Sequence, residues 1–225
     1  MSQVAAVPDV FPPDVAGAFE THVSVLTDDV DALAARADAY GWRVTHIVLD
    51  RGRFASQPML GARTHDTLRA VRRRADDVVG RLRGDGFTVT RIKIEAEPSH
   101  VGVPRTDAQA RGHGPARYFE HHVKLVLPAD VDESALVALV RPHGAHLSRN
   151  ARRVRADGRV ERFVTQRCRG VGDRTAARAA RALVDVLSAP TTACGPVSIA
   201  CVEREFVVYD DNDGLDAGWI EDERR

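Results

Sequence analysis

The chain has 225 residues, 44% hydrophobic and 28% charged, which suits two domains of about 100 residues, each with its own core. Its 32 basic and 32 acidic side chains cancel, so no long-range field recruits nucleic acid or an anionic membrane, and neither is an expected partner. Cys168, Cys194 and Cys201 form no Cys-x-x-Cys pair, which argues against a zinc knuckle and a secreted disulfide framework; with no signal-like start and no apolar run of membrane-spanning length, a reduced cytoplasm is the expected setting.

Residues 19–26 set Phe19, Thr21, Val23 and Val25 against Glu20, His22 and Ser24, the period of two of a half-buried strand. Asp28 or Asp29 can cap a helix carrying Val30, Leu33, Ala34 and Ala37, which Gly41 ends. A second strand over 43–49 and the turn Asp50-Arg51-Gly52 lead to a third strand over 54–60, assigned to an edge or bulge because of Pro58. Residues 67–82 predict a basic amphipathic helix with Leu68, Val71, Val78, Val79 and Leu82 inward, and 87–97 a fourth strand.

The order βαββαβ then recurs. It runs through a strand at 118–127, a helix at 132–140 stopped by Gly144, strands at 146–154 and 160–168 around Ala156-Asp157-Gly158, a helix at 174–188 and a strand at 196–209. Residues 99–116, rich in Pro, Gly, Arg and His, read as a linker, and 211–225 as an acidic tail that packs back through Trp219.

Local strings support a duplication. Phe19-Glu20-Thr21-His22-Val23 returns as Phe119-Glu120-His121-His122-Val123, Arg53-Phe54-Ala55-Ser56-Gln57 as Arg162-Phe163-Val164-Thr165-Gln166, and residues 89–97 as 197–205, at offsets of 100, 109 and 108. A longer second hairpin would supply the implied nine-residue insertion. The expected fold is α+β: tandem ferredoxin-like βαββαβ domains with antiparallel sheets, at 17–98 and 117–210, whose open faces pack around a polar cleft or line a dimer interface.

Alternation sends Phe19, Thr21, Val23, Ile92, Ile94, Phe119, Val123 and Val202 toward the helices. Glu20, His22, Ser24, Lys93, Glu95 and Glu97 share the open face with Glu120, His122, Lys124, Cys201, Glu203 and Glu205. Lys93 and Lys124 are the only lysines in an otherwise arginine-based chain, and both fall among these carboxylates and histidines. Glu20, His22, Glu95, Glu97, Glu120, His122, Glu203 and Glu205 are therefore candidate ligands for a divalent metal of unspecified identity. His22, His122, Lys93 and Lys124 are candidate acid–base groups. Gln57, Gln166, Arg149, Arg162 and Arg167 are candidate anion-binding residues, and Arg63-Thr64 and Arg174-Thr175 candidate helix openings. His121, on the helix side, is expected in the core.

Three families share short motifs with the chain. Glu120-x-His122-x-Lys124 resembles the Glu-x-Glu-x-Lys signature of CYTH triphosphate-tunnel enzymes, which implies a triphosphate and a divalent metal within a strand tunnel; His stands where that family has a second Glu. His22-Val23-Ser24 is similar to one His-x-Ser/Thr motif of 2H phosphoesterases, but His122-Val123-Lys124 lacks the hydroxyl. A first-strand His and last-strand Glu in each copy resemble vicinal-oxygen-chelate modules, which lack the second helix. The expected function is a metal-assisted enzyme, a hydrolase or phosphoesterase, acting on a small anionic, phosphorylated substrate. The alternative is a non-catalytic ligand-binding or assembly module, with a homodimer open in either case.

Overall fold

A computed structural model describes residues 11–189 and 194–220; the first ten residues and the last five of the acidic tail lie outside it. The first βαββαβ unit comprises β1 (Ala16–Leu26), α1 (Val30–Tyr40), β2 (Arg43–Leu49), β3 (Ser56–Thr67), α2 (Leu68–Gly84) and β4 (Thr88–Ala96). A four-residue helix, α3 (Asp107–Ala110), precedes β5 (Tyr118–Leu127), α4 (Glu133–Val140), β6 (Ala145–Asn150), β7 (Val160–Arg169), α5 (Asp173–Leu187) and β8 (Ser198–Asp210). The chain is α+β, with two ferredoxin-like units whose strands are antiparallel throughout.

The starts of α1, α2 and α4 have a local cause. The side chains of Asp29, Thr67 and Asp132 accept from the backbone N–H of Ala32, Ala70 and Ala135, and Gly41 ends α1 at a positive φ of 72° that a Cβ would disfavour. α2 turns Leu68, Val71, Ala75, Val78, Val79 and Leu82 into a core shared with Phe19, Val23, Ile92 and Ile94. α4 and α5 cover a second core around Val123, Leu125, Leu147 and Val164. Burying one such side chain contributes roughly 1.5–3 kcal/mol, so the helices hold the outer faces of the strands firmly.

The two sheets are not separate. β2 pairs with β6 through Ile47↔Asn150, Val48↔Arg149 and Leu49↔Ser148, and β4 pairs with β8 through Lys93↔Asp210, Ile94↔Tyr209, Glu95↔Val207 and Ala96↔Phe206. The result is a closed eight-stranded barrel in the order β1-β3-β2-β6-β7-β5-β8-β4, with the helices outside. A barrel of this strand number has an interior that side chains can fill or that can hold one small ligand. The polar faces thus enclose a cavity.

Several expectations change in detail. β3 lies between β1 and β2 and runs to Thr67, so Arg63 and Thr64 are strand residues rather than a helix opening. Pro58 sits one residue beyond Met59, the last β3 partner of β1, where the ladder has already stopped. β6 ends at Asn150, and the connection to β7 spans residues 151–159 against 50–55 in the first unit, much less than a nine-residue insertion. Val202 is 42% exposed. The first half of β8 has β5 as its strand partner, because the β4 ladder reaches β8 only from Phe206 onward, and α5 packs over β5 and β7.

The joining segment is built against the second unit. Thr106 caps α3 in a reciprocal box with Gln109, Asp107 accepts from the Gly172 N–H at 2.8 Å, and Asp173 N–H donates to the Pro104 carbonyl at 2.8 Å. A Cβ on Gly172 would lie 2.4 Å from the Thr106 carbonyl carbon. Gly172→Ala is therefore expected to cost about 1–3 kcal/mol, because backbone must shift against backbone. An unchanged calorimetric melting temperature would contradict this.

Candidate functional site

Strand pairing brings the four motifs together in pairs. Glu20 lies opposite Glu95 and His22 opposite Lys93, while Glu120 lies opposite Glu205 and His122 opposite Glu203. On the other side Glu20 faces Arg63 and Glu120 faces Arg167, and each arginine Nε donates to its glutamate at 2.6 Å. These rungs define the true equivalences of the repeat: Glu20 with Glu120, His22 with His122, Arg63 with Arg167, Gly61 with Thr165, Lys93 with Glu203, and Glu95 with Glu205. The offset is 104 residues for the third strands and 110 for the fourth, not 109 and 108. The matched strings were out of step because a sheet preserves rungs, whereas a string match follows chance identities among neighbouring residues.

Glu97 consequently drops out. It lies past the end of β4, exposed, and accepts from Ser99 Oγ at 3.3 Å. Glu95 is instead the residue at the centre, 1% exposed, with His22 Nε2 at 3.0 Å and Lys93 Nζ at 2.8 Å. Lys93 also pairs with Glu120, whose other oxygen accepts from Arg167. His122 Nδ1 and Thr165 Oγ1 are 3.0 Å apart, which leaves Nε2 facing Glu120 and Glu205, each at 3.7 Å. One ligand atom from each of Glu95, His122 and Glu205 lies within 4.8 Å of the others. The first unit therefore supplies one member of this group and the second unit two.

The charges are distributed unevenly. Burial opposes ionisation of Glu95, but Lys93 and His22 outweigh it and hold its carboxyl at about 2. Glu120 is held well below the usual range, because Arg167 and Lys93 overcome its burial. Glu205 moves the other way: burial, and then the charge of Glu95, raise it well above the ordinary carboxylate value. Burial depresses His122 despite Glu120, so its imidazole is kept neutral and can donate a lone pair. Burial works against the ammonium of Lys93, yet Glu120 and Glu95 keep it charged.

A second network closes one end of the barrel. The tail turns through a short helical segment, Asp213–Asp216, and Asp216 enters the interior. Its carboxylate accepts from Arg91 Nη1 at 2.8 Å, Arg167 Nη2 at 2.5 Å and Gln57 Nε2 at 2.9 Å. Arg91 also pairs with Asp210, which accepts from the Tyr118 hydroxyl at 2.8 Å. Trp219 packs back as expected, its Nε1–H donating to the Leu147 carbonyl at 3.0 Å. The remaining cavity is about 210 Å³, and its lining combines charged and histidine side chains, among them Glu20, His22, Lys93, Glu120, His122, Arg167, Glu203 and Glu205, with the apolar Ile47, Leu49, Met59, Phe163 and Trp219. A neighbouring space of about 440 Å³ shares Glu20, Glu203 and Glu205 with it and is edged by Arg63. Glu203 stands at this mouth, 3.6 Å from Arg63 Nη2.

The other candidates lie elsewhere. Lys124 faces the same side as His122 but pairs with Glu161 at 2.9 Å, away from the glutamate–histidine group. Gln166 faces the helices, where its Oε1 is 3.0 Å from His121 Nδ1 and its Nε2 donates to the His143 carbonyl. Arg162 pairs with Glu133 of α4, and Arg149 is exposed on the β2–β6 seam. Arg174 and Thr175 lie in the first turn of α5, where Thr175 donates to Asp107. Arg167 and Gln57 are the anion candidates that reach the interior, and both serve Asp216. Arg91 was legible in principle, two residues before Lys93 on the same strand face. Asp216 carried no local signal, since only the returning tail puts it there.

No family model and no curated protein sequence matches the chain. Among solved structures, it is similar to a chlorite dismutase from Candidatus Nitrospira defluvii, at 15% identity over 89% of this chain and 93% of that one, with a TM-score of 0.27. It is also similar to the encapsulated DyP-type peroxidase from Mycobacterium smegmatis, at 10% identity over 91% and 94%, again with a TM-score of 0.27. Likenesses of this depth carry no assignment of chemistry. Among the described residues, no helix is long and apolar enough to cross a membrane.

Proposed function

We propose that the barrel interior is a divalent-cation site that serves a metal-assisted enzyme acting on a small anionic, phosphorylated substrate. The observation that carries the reading is the convergence of Glu95, His122 and Glu205, two carboxylates and an imidazole from both units, within 4.8 Å. Three protein ligands leave coordination positions open, as a catalytic metal requires. Mixed imidazole and carboxylate donors suit Mn²⁺, Fe²⁺ or Zn²⁺ better than Ca²⁺, which needs six to eight oxygens. A cation would also take the place of the proton that burial and Glu95 favour on Glu205.

The residues argue for a particular division of labour. Arg91, Lys93 and Arg167 are each committed to carboxylates, so they hold the walls in place rather than clamp an anion. The substrate's negative group would then meet the cation directly, entering past Arg63, whose side chain is 70% exposed at the mouth. Such a cation can polarise a phosphoryl oxygen and lower the pKa of a coordinated water. The same commitment of the buried cations favours the second reading, a non-catalytic binding module, if no turnover follows metal loading.

Isothermal titration of chelator-treated protein with Mn²⁺ and Zn²⁺ tests the site, followed by metal-dependent hydrolysis of a panel of phosphomonoesters and phosphodiesters. Binding should weaken at least 10-fold in His122→Ala and Glu205→Gln, whose folds are checked by circular dichroism, and turnover should fall with it. Wild type that binds no divalent ion would remove the enzyme reading.

A further inference from the structure

We infer that the barrel holds two cations, with Glu95 and Glu205 shared between them. This rests on the cation site proposed above and adds a second centre to it. Exchanging equivalent positions of the repeat turns the group Glu95, His122 and Glu205 into Glu205, His22 and Glu95. The two carboxylates map onto each other, and only the histidine changes. A ligand set that shares its carboxylates with its own mate is one in which each carboxylate can offer one oxygen to either side.

The second histidine borders one of the shared carboxylates, Glu95, while among the described residues the His122 group is the one that converges within 4.8 Å. His22 Nε2 lies 3.0 Å from Glu95 and 3.7 Å from Glu20, as His122 Nε2 lies 3.7 Å from Glu120 and from Glu205. A separate observation points to a missing occupant. Glu95 is 1% exposed, and although His22 and Lys93 approach it, neither oxygen accepts a hydrogen bond of good geometry within the protein. A buried carboxylate ordinarily fills its lone-pair positions, and metal coordination would do so here.

The two centres differ in their surroundings. At the His122 side, Lys93 and Arg167 occupy Glu120, and Thr165 holds the imidazole from behind. At the His22 side, Gly61 replaces the threonine, and Glu20 is partly exposed beside the mouth, paired with the exposed Arg63 and near His22. The difference between the two sides lies in these glutamates, Glu20 at 23% exposed against Glu120 at 1%, while the two imidazoles are about equally exposed.

Metal-depleted full-length protein is titrated with Mn²⁺, with bound metal measured by elemental analysis and the loaded protein examined by electron paramagnetic resonance. Two equivalents, a spin-coupled spectrum, and a fall to one equivalent with loss of coupling in both His22→Ala and His22→Asn are expected. One equivalent in the wild type, unchanged by either variant, would overturn the second centre while leaving the proposed function standing. Two equivalents that persist in both variants would also overturn it, by placing the second ion elsewhere. No bound metal in the wild type would remove both readings together.

Discussion

Asp216→Asn is expected to destabilise the protein by roughly 3–5 kcal/mol, the usual effect of breaking a buried charge network from one side. Asp216 is the carboxylate shared by Arg91 and Arg167, both 5–6% exposed, and without its charge the two guanidinium groups face each other with less compensation. For a chain of this size such a loss lowers the melting temperature by on the order of 10 °C. Asp213→Asn is the matched control. Asp213 pairs with Arg169 at the surface, where an ion pair contributes about 0–1 kcal/mol.

The pH dependence of that difference has a definite sign. Burial favours the neutral form of Asp216, but Arg167 and Arg91 outweigh it and hold the folded-state pKa at about 2. In the unfolded chain an aspartate titrates near ~3.9. A depressed folded value means that stabilisation is complete above the unfolded pKa and is lost as pH falls through the folded one. The gap between wild type and Asp216→Asn should therefore be constant at neutral pH and narrow between about pH 4 and pH 2. Denaturant melts across that range check it. A gap that widened on acidification would mean that Asp216 is protonated at neutral pH.

Val123→Asp is expected to abolish folding of the second unit, whereas Val202→Asp should shift stability by no more than about 0.5 kcal/mol. The two valines are direct partners in the β5–β8 ladder and point to the same side of the sheet. Val123 is fully buried among Leu125, Leu136, Val164 and Leu183, where an unpaired carboxylate can be neither hydrated nor matched. Val202 is not under a helix. Loss of cooperative unfolding in the first variant and near-native melting in the second would support this arrangement. Equal effects would mean that α5 covers β8 as well.

That contrast marks what alternation can and cannot reveal. Period-two patterns identified which side chains of β1, β4 and β5 share a face, because Cβ direction alternates with every residue. Phe19, Val23, Ile92, Ile94, Phe119 and Val123 are all buried, and His121 lies in the core beside Gln166. A pattern gives the side, not the depth of cover. Val202 has the predicted side and no helix above it.

The sequence alone determined the two βαββαβ units, their antiparallel ferredoxin-like character, and the placing of Glu20, His22, Lys93 and Glu95 on one sheet face and of Glu120, His122, Glu203 and Glu205 on the other. These depend on local propensity, capping and strand alternation, which are properties of short segments. Tertiary structure decided the rest. Whether two open sheets stack, stand apart or join at their edges depends on the β2–β6 and β4–β8 pairings, which join residues about 100 positions apart and leave no local trace. Edge closure made the polar faces an interior; the registers within each unit aligned Glu95 rather than Glu97 with Glu205, α4 drew Arg162 away to Glu133, and the returning tail brought Asp216 onto Arg91 and Arg167. Burial by long-range closure is what converts a row of charged side chains on a strand into a set with unequal proton affinities, because only inside the barrel do desolvation and neighbouring charges act at full strength.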